Sequence, residues 1–111
     1  MSRDELYLTH ILESLERISE YTEQGRQSFM ADRMAQDATV RNLEIIGEAT
    51  KMISPEMRSH YPEVPWQRMA GMRDVLIHNY MGVDLDIVWE VIENRVEPLK
   101  AQISGLLEAG R

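Results

Sequence analysis

Apolar residues recur at steps of three and four through most of the chain, the spacing that lines one face of an α-helix. In the N-terminal stretch Leu8, Ile11, Leu12, Leu15, Ile18 and Thr22 keep that step, while Asp4, Glu5, Glu13, Glu16, Arg17 and Glu20 fall elsewhere. This predicts an amphipathic helix over about 3–24, ended by Gly25. A second helix is predicted from about Asp32 to Ile53, with Met34, Ala38, Ile45, Ala49 and Met52 on its apolar stripe and Pro55 just beyond its end. Pro55, Pro62 and Pro65 then mark a loop, residues 66–79 a shorter helix, and residues 84–108 a long one with Asp84 as its N-cap. In that last helix Leu85, Val88 or Trp89, Ile92, Val96, Leu99, Ile103 and Leu106 form a packing seam. Pro98 lies within it, so either the helix bends there or a new turn begins. No segment alternates as a strand does, and the pattern predicts an all-α bundle of four main helices.

At 111 residues the chain fits one domain, 1–111, large enough for its own core. With one Phe, two Trp and four Tyr, that core is predicted to draw on Leu, Ile, Val and the eight Met. The absence of cysteine excludes a disulfide scaffold, a zinc ribbon and a thiol nucleophile. No apolar run is long enough to span a bilayer, and MSRDELYLTH has neither the apolar core nor the cleavage site of a secretory signal, so the expected location is the cytoplasm. The formal charge of −7 disfavours non-specific binding to a polyanion, so any nucleic-acid site must be a local cationic one.

The chemistry concentrates in WQRMAGMRDVLIHNYMGVD, Trp66 to Asp84, where Arg73, Asp74, His78 and Tyr80 crowd together. An Arg offers a positive fork matched to phosphate, and a His takes or gives a proton near neutral pH. Together they suit metal-independent phosphodiester cleavage, with His78 handling the proton of a ribose 2′-hydroxyl or of the leaving oxygen and Arg73 stabilising charge on the phosphate. On one ideal helix, positions five apart differ by about 500°, or about 140° after whole turns, so Arg73 and His78 do not share a face. A site built from both needs a chain turn at His78 or a second copy of the chain. On the second predicted helix Asp37, Arg41, Glu44, Glu48 and Lys51 fall within an arc of roughly 80°, either a solvated ion-paired face or a set of carboxylates that orients Arg73 or Arg41. Asp37 with Arg41 is one i,i+4 pair available there. Trp66 and Trp89 read as core or interface anchors, and no His, Asp or Glu cluster has metal-ligand spacing, so no metal is expected.

RNLEIIGEA from Arg41 to Ala49, the Pro-rich loop, Trp66, GMRDVLIHNY from Gly71 to Tyr80 and VDLDIVW from Val83 to Trp89 resemble, in order and spacing, the HepT-like branch of the HEPN superfamily. Arg73, His78 and Tyr80 stand as its Arg-x4-His-x-Tyr motif, with Asp74 at the position where the family prefers a polar residue. The resemblance implies a four- to five-helix up-and-down HEPN bundle that forms a homodimer, its two motifs facing a shared cleft. It implies a metal-independent endoribonuclease without cofactor, acting on RNA as the toxin of a type VII-like toxin–antitoxin pair. The implied partner is an antitoxin, a minimal nucleotidyltransferase (MNT). Arg73 and His78 would be catalytic, Asp74, Glu44, Glu48 and Arg41 supporting, and Tyr80 the acceptor of AMP from the MNT. A bulky anionic group on Tyr80 would then exclude RNA.

Two other classes use parts of the same pattern. A non-catalytic helical binding or scaffold partner of a nucleotidyltransferase would need Tyr80 but not a catalytic His78. A plain dimerisation domain would need only the seam from Ile92 to Leu106.

Overall fold

The computed structural model describes residues 2–77 and 84–110, and the side chains of all of these except 75–77. Seven helices and no strand occur among the described residues: α1 (Arg3–Tyr21), α2 (Arg26–Ala31), α3 (Arg33–Lys51), α4 (Pro55–His60), α5 (Trp66–Ala70), α6 (Met72–Ile77) and α7 (Leu85–Ala109). The all-α bundle is therefore present, with three long helices as its frame.

Side-chain caps start the long helices. The Ser2, Asp32 and Asp84 side chains accept from backbone N–H groups in the first turns of α1, α3 and α7, so the cap expected at Asp84 is realised. The first helix stops earlier than the expected 3–24. At Thr22 the backbone N–H and the hydroxyl both donate to the Ile18 carbonyl, at 3.1 and 2.7 Å, and close α1 there. Gly25, expected to end that helix, instead opens α2 with φ +92°, a left-handed conformation that glycine enters at no steric cost.

The loop with three prolines also holds a helix. Pro55 sits at the first position of α4, where its missing N–H costs nothing, and Ser54 caps it. The single helix expected over 66–79 is broken at Gly71 into α5 and α6. By contrast α7 runs unbroken through Pro98.

α1 packs against both α3 and α7. The Ser54 N–H and hydroxyl donate to the two Asp4 carboxylate oxygens at 2.8 and 2.6 Å, which ties the end of α3 to the start of α1. Glu5 lies beside Gly110, and Arg26, just after α1, reaches Asp86 at 2.8 Å, so α7 also runs antiparallel to α1. α3 and α7 thus run the same way, and α4, α5 and α6 carry the chain back between them as a segmented leg, with α5 and α6 packed on α3.

Leu8, Ile11, Leu15 and Ile18 of α1 meet Val88, Ile92, Val96, Leu99, Ile103 and Leu106 of α7 in one core, as their spacing predicts. The face of α3 follows the predicted stripe only at Ala49. Ala35, Thr39, Asn42, Leu43, Ile46, Gly47, Ala49 and Thr50 are buried, while Met34 is 83% and Met52 39% exposed. Thr50 and Asn42 donate to carbonyls four residues back, at 2.7 and 2.9 Å, which satisfies part of the polar inner face, while the Thr39 hydroxyl and the Asn42 Oδ1 are buried without a partner among the described residues. Of the methionines expected in the core, only Met69 and Met72 are buried among the described residues.

Candidate functional site

Gly71 ends α5, and the chain re-enters a helix at Met72, which puts Arg73 in the first turn of α6. What brings that turn to α3 is Gly47. A Cβ at this position would stand 3.4 Å from the Met69 and Ala70 carbonyl oxygens and 3.7 Å from the Arg73 nitrogen, so the end of α5 and the start of α6 lie directly on the glycine backbone. A glycine inside a helical pattern is the sequence signal for such an approach. Gly47 carries that signal within RNLEIIGEA, and reading the site from charge and spacing alone passes over it.

Above this contact the Arg73 Nε lies 4.0 Å from the Glu44 Oε2 and its Nη1 4.0 Å from the Glu48 Oε1. The fold thus brings together Arg73, Glu44 and Glu48, three candidate residues that lie apart in sequence. At 4.0 Å the interaction is Coulombic, beyond hydrogen-bond length. Arg73 makes no hydrogen bond among the described residues, its side chain is 53% exposed, and its N–H fork remains available to an incoming anion. Glu48 divides its charge between Arg73 and Lys51, whose Nζ is 3.5 Å away.

Arg41 is exposed and lines a cavity of about 480 Å³ with Glu44, Asp37 and Leu85, between α3 and the start of α7. The i,i+4 pair available to it is not formed: Asp37 lies 3.9 Å from Arg33 instead. Asp74 is exposed and forms no ion pair among the described residues. His78 and Tyr80 lie outside the described residues.

Both tryptophans are packed as anchors. Trp66 is buried and donates from its indole to the Tyr61 carbonyl at 2.9 Å. Trp89 packs on Phe29 with the ring centroids 5.4 Å apart and the planes tilted by 40°, and donates to Glu93 at 2.9 Å. Among the described residues no group of three or more His, Asp or Glu side chains is placed to hold a metal ion, and no helix is long and apolar enough to cross a membrane.

An arginine held between two carboxylates on an α-helical bundle is a geometry many folds can produce, and comparison with known proteins decides between them. The sequence profile described as Ribonuclease HepT-like matches residues 11–106. The chain belongs to the HepT-like ribonuclease family. A protein of Thermococcus cleftensis named "Probable ribonuclease HepT" is 42% identical over 101 residues, covering 90% of this chain and 92% of its own. A Methanocaldococcus jannaschii protein named "Gamma-glutamylcyclotransferase and putative RNase" is 45% identical over 104 residues. That match takes in 93% of this chain but 47% of the relative, so the chain spans about half of that protein's length. A Caldanaerobacter subterraneus protein named as a "Putative RNase" is 42% identical over 103 residues, 92% of each chain. No solved structure matches the chain. This is thus a chain of an RNase family of the HEPN type, with the all-α bundle and the Arg73 corner in place.

Proposed function

We propose that the chain is a metal-independent endoribonuclease acting in the cytoplasm as the toxin of a two-gene toxin–antitoxin pair, with Arg73 and His78 as its catalytic residues. The observation that carries this reading is Arg73 itself. In a chain of formal charge −7 it stands exposed at a helix start, steered by Glu44 and Glu48 yet hydrogen-bonded to neither. A phosphate oxygen can take its N–H groups without first breaking a hydrogen bond. In the reaction, neutral His78 takes the proton of a ribose 2′-hydroxyl as that oxygen bonds to phosphorus. The bond from phosphorus to the 5′-oxygen breaks, the imidazolium returns the proton to the leaving 5′-oxygen, and Arg73 balances the charge on the cyclising phosphate. Asp74 and Arg41 are assigned supporting roles beside Glu44 and Glu48.

The exposed face of α3 supports a homodimer. Met34, Ile45 and Met52 fall within about 20° of one line on the helix, with Met34 and Met52 exposed. Tyr7 and His10 border the same strip. Arg41 lies on that line and Glu48 and Glu44 beside it, so a second copy packed there would bring two Arg73 sites toward one cleft. In the regulated state an MNT partner transfers AMP to Tyr80: the phenolic oxygen attacks the α-phosphate of ATP, pyrophosphate leaves, and the added phosphate repels RNA.

The test is cleavage of total cellular RNA by the purified chain in EDTA, with His78→Ala alongside. Wild type is expected to leave 2′,3′-cyclic phosphate ends. His78→Ala is expected to keep the same melting temperature and dimer and to cut nothing. Equal cleavage by both, or none by a folded wild type, overturns the catalytic assignment. Co-expression with the MNT is expected to add the mass of one AMP, and Tyr80→Phe to abolish the increment.

A further inference from the structure

Between α5, the start of α6 and α7 lies a groove of about 570 Å³ whose lining includes Met69, Met72, Val91 and Leu99, with Arg68 and Arg95 among its walls. Its size falls within the about 300–1,000 Å³ of small-ligand sites. Met69, Met72 and Leu99 are buried residues of the core, so the floor is apolar and fixed. The charge of the lining is unusual for this molecule. It contains two arginines and no carboxylate, in a chain with 19 acidic residues and a net charge of −7. The other described cavities each include at least one: Asp4 in one, Asp37 and Glu44 in the next, Glu48 in the third.

Arg68 and Arg95 are also unlike most of the described cations. Arg17, Arg26, Arg33, Lys51, Arg73 and Lys100 each lie within 4.0 Å of a carboxylate, and Arg58 donates to the Thr50 carbonyl. Arg68 and Arg95 are exposed and have no such partner among the described residues. Gly71 and Met72, which line the groove, directly precede Arg73 in the chain, so the groove and the candidate site share the α5–α6 corner.

We infer that this groove is a subsite for single-stranded RNA next to the cleavage position. A base lies against the methionine-rich floor, and the phosphates on either side are gripped by Arg68 and Arg95. The inference rests on the ribonuclease reading and assigns to that activity a binding element outside the Arg73 corner. An apolar floor with two cations asks for a ligand that is flat and apolar on one part and anionic on another, and an unpaired nucleotide is such a ligand. Methionine sulfur packs well against aromatic rings, and arginine planes stack on bases as well as bind phosphate. An RNA duplex, whose bases are already stacked, would not fill the floor.

The test measures binding of a fluorescein-labelled single-stranded RNA of mixed sequence by fluorescence anisotropy across a salt series. It compares wild type, Arg68→Ala, Arg95→Ala, the double variant, and Arg17→Ala as a cation control on α1. For single strands each phosphate contact contributes about 0.7 to the slope of log K against log salt, so the double variant should lose about 1.4 from that slope and Arg17→Ala nothing. In cleavage assays KM should rise about tenfold in the double variant with kcat unchanged, and Arg68→Lys with Arg95→Lys should restore most of the salt slope. If wild type binds and cuts RNA but the double variant keeps its slope and KM, the subsite is refuted and the ribonuclease reading stands. If the double variant changes oligomeric state instead, the groove is a contact between copies and the subsite is likewise refuted. If folded wild type neither binds nor cuts RNA, the ribonuclease reading itself fails and this inference with it.

Discussion

Replacing Gly47 probes how the fold aims Arg73. An alanine there places its Cβ 3.4 Å from the Met69 and Ala70 carbonyl oxygens, at the near edge of ordinary contact. The helix gains about 1 kcal/mol from exchanging glycine for alanine, and a shift of a few tenths of an ångström in α5 consumes part of it. Gly47→Ala should therefore change stability by less than about 1 kcal/mol and leave cleavage close to wild type. Leucine is different, because its further carbons must occupy the space filled by the end of α5 and the start of α6. Overpacking of this kind costs about 1–3 kcal/mol. With a urea m-value of about 1–3 kcal/mol/M, the unfolding midpoint should fall by roughly 1 M. The domain should remain folded, since small domains hold about 5–15 kcal/mol in reserve. The main loss should appear in activity. Moving a catalytic group by about 1 Å can cost about a hundredfold in rate, so Gly47→Leu should lose tenfold or more in kcat at a urea concentration where it is fully folded. A leucine variant with wild-type midpoint and wild-type kcat would show that the α5–α6 corner is free to move and that the glycine does not set the position of Arg73.

Two further substitutions test the frame and the charge around the site. Asp4→Ala leaves the Ser54 N–H and hydroxyl without their acceptors, and hydrogen bonds to a charged group contribute about 1.5–3 kcal/mol where water does not take their place, so about 1–3 kcal/mol of stability should be lost in urea unfolding. A loss below a few tenths would mean that water replaces the carboxylate. Glu44→Gln with Glu48→Gln should tighten RNA binding about threefold, because two carboxylates about 6 Å from a phosphate on Arg73 each repel it by a few tenths of a kcal/mol at physiological salt. Weaker binding in the anisotropy assay would refute this and show that the glutamates matter more by holding the arginine in place than by repelling phosphate.

The helices that bury mostly aliphatic side chains are the easiest to read. α7 and α1 bury rows of branched aliphatic residues, and the three- and four-residue step finds them. α3 is enclosed by α1, α2, α5 and α6, and its inner face is partly polar. Hydrophobicity alone therefore chooses the wrong side and places Met34, Ile45 and Met52 inward. The line those three residues make is real, but it faces out. α4 is hidden because a proline that stops one helix also starts the next, and the break at Gly71 because nothing local fixes a glycine as a hinge rather than a helical residue.

The candidate site divides in the same way. Arg73, Glu44 and Glu48 are recognisable as residue types, since charge and spacing are local properties of the chain. Their meeting is legible only as one alternative beside a solvated face, because it depends on α5 and α6 lying against Gly47, a contact between segments more than twenty positions apart. The electrostatics follow the same rule. A net charge of −7 argues against RNA when it is spread over a sphere, but the fold does not spread it. It neutralises many cations in surface pairs, partly balances Arg73 with two carboxylates, and leaves Arg68 and Arg95 on a groove whose lining has none. What a polyanion meets within a Debye length of about 8 Å is that local arrangement, so the sign of the whole chain does not decide whether RNA binds.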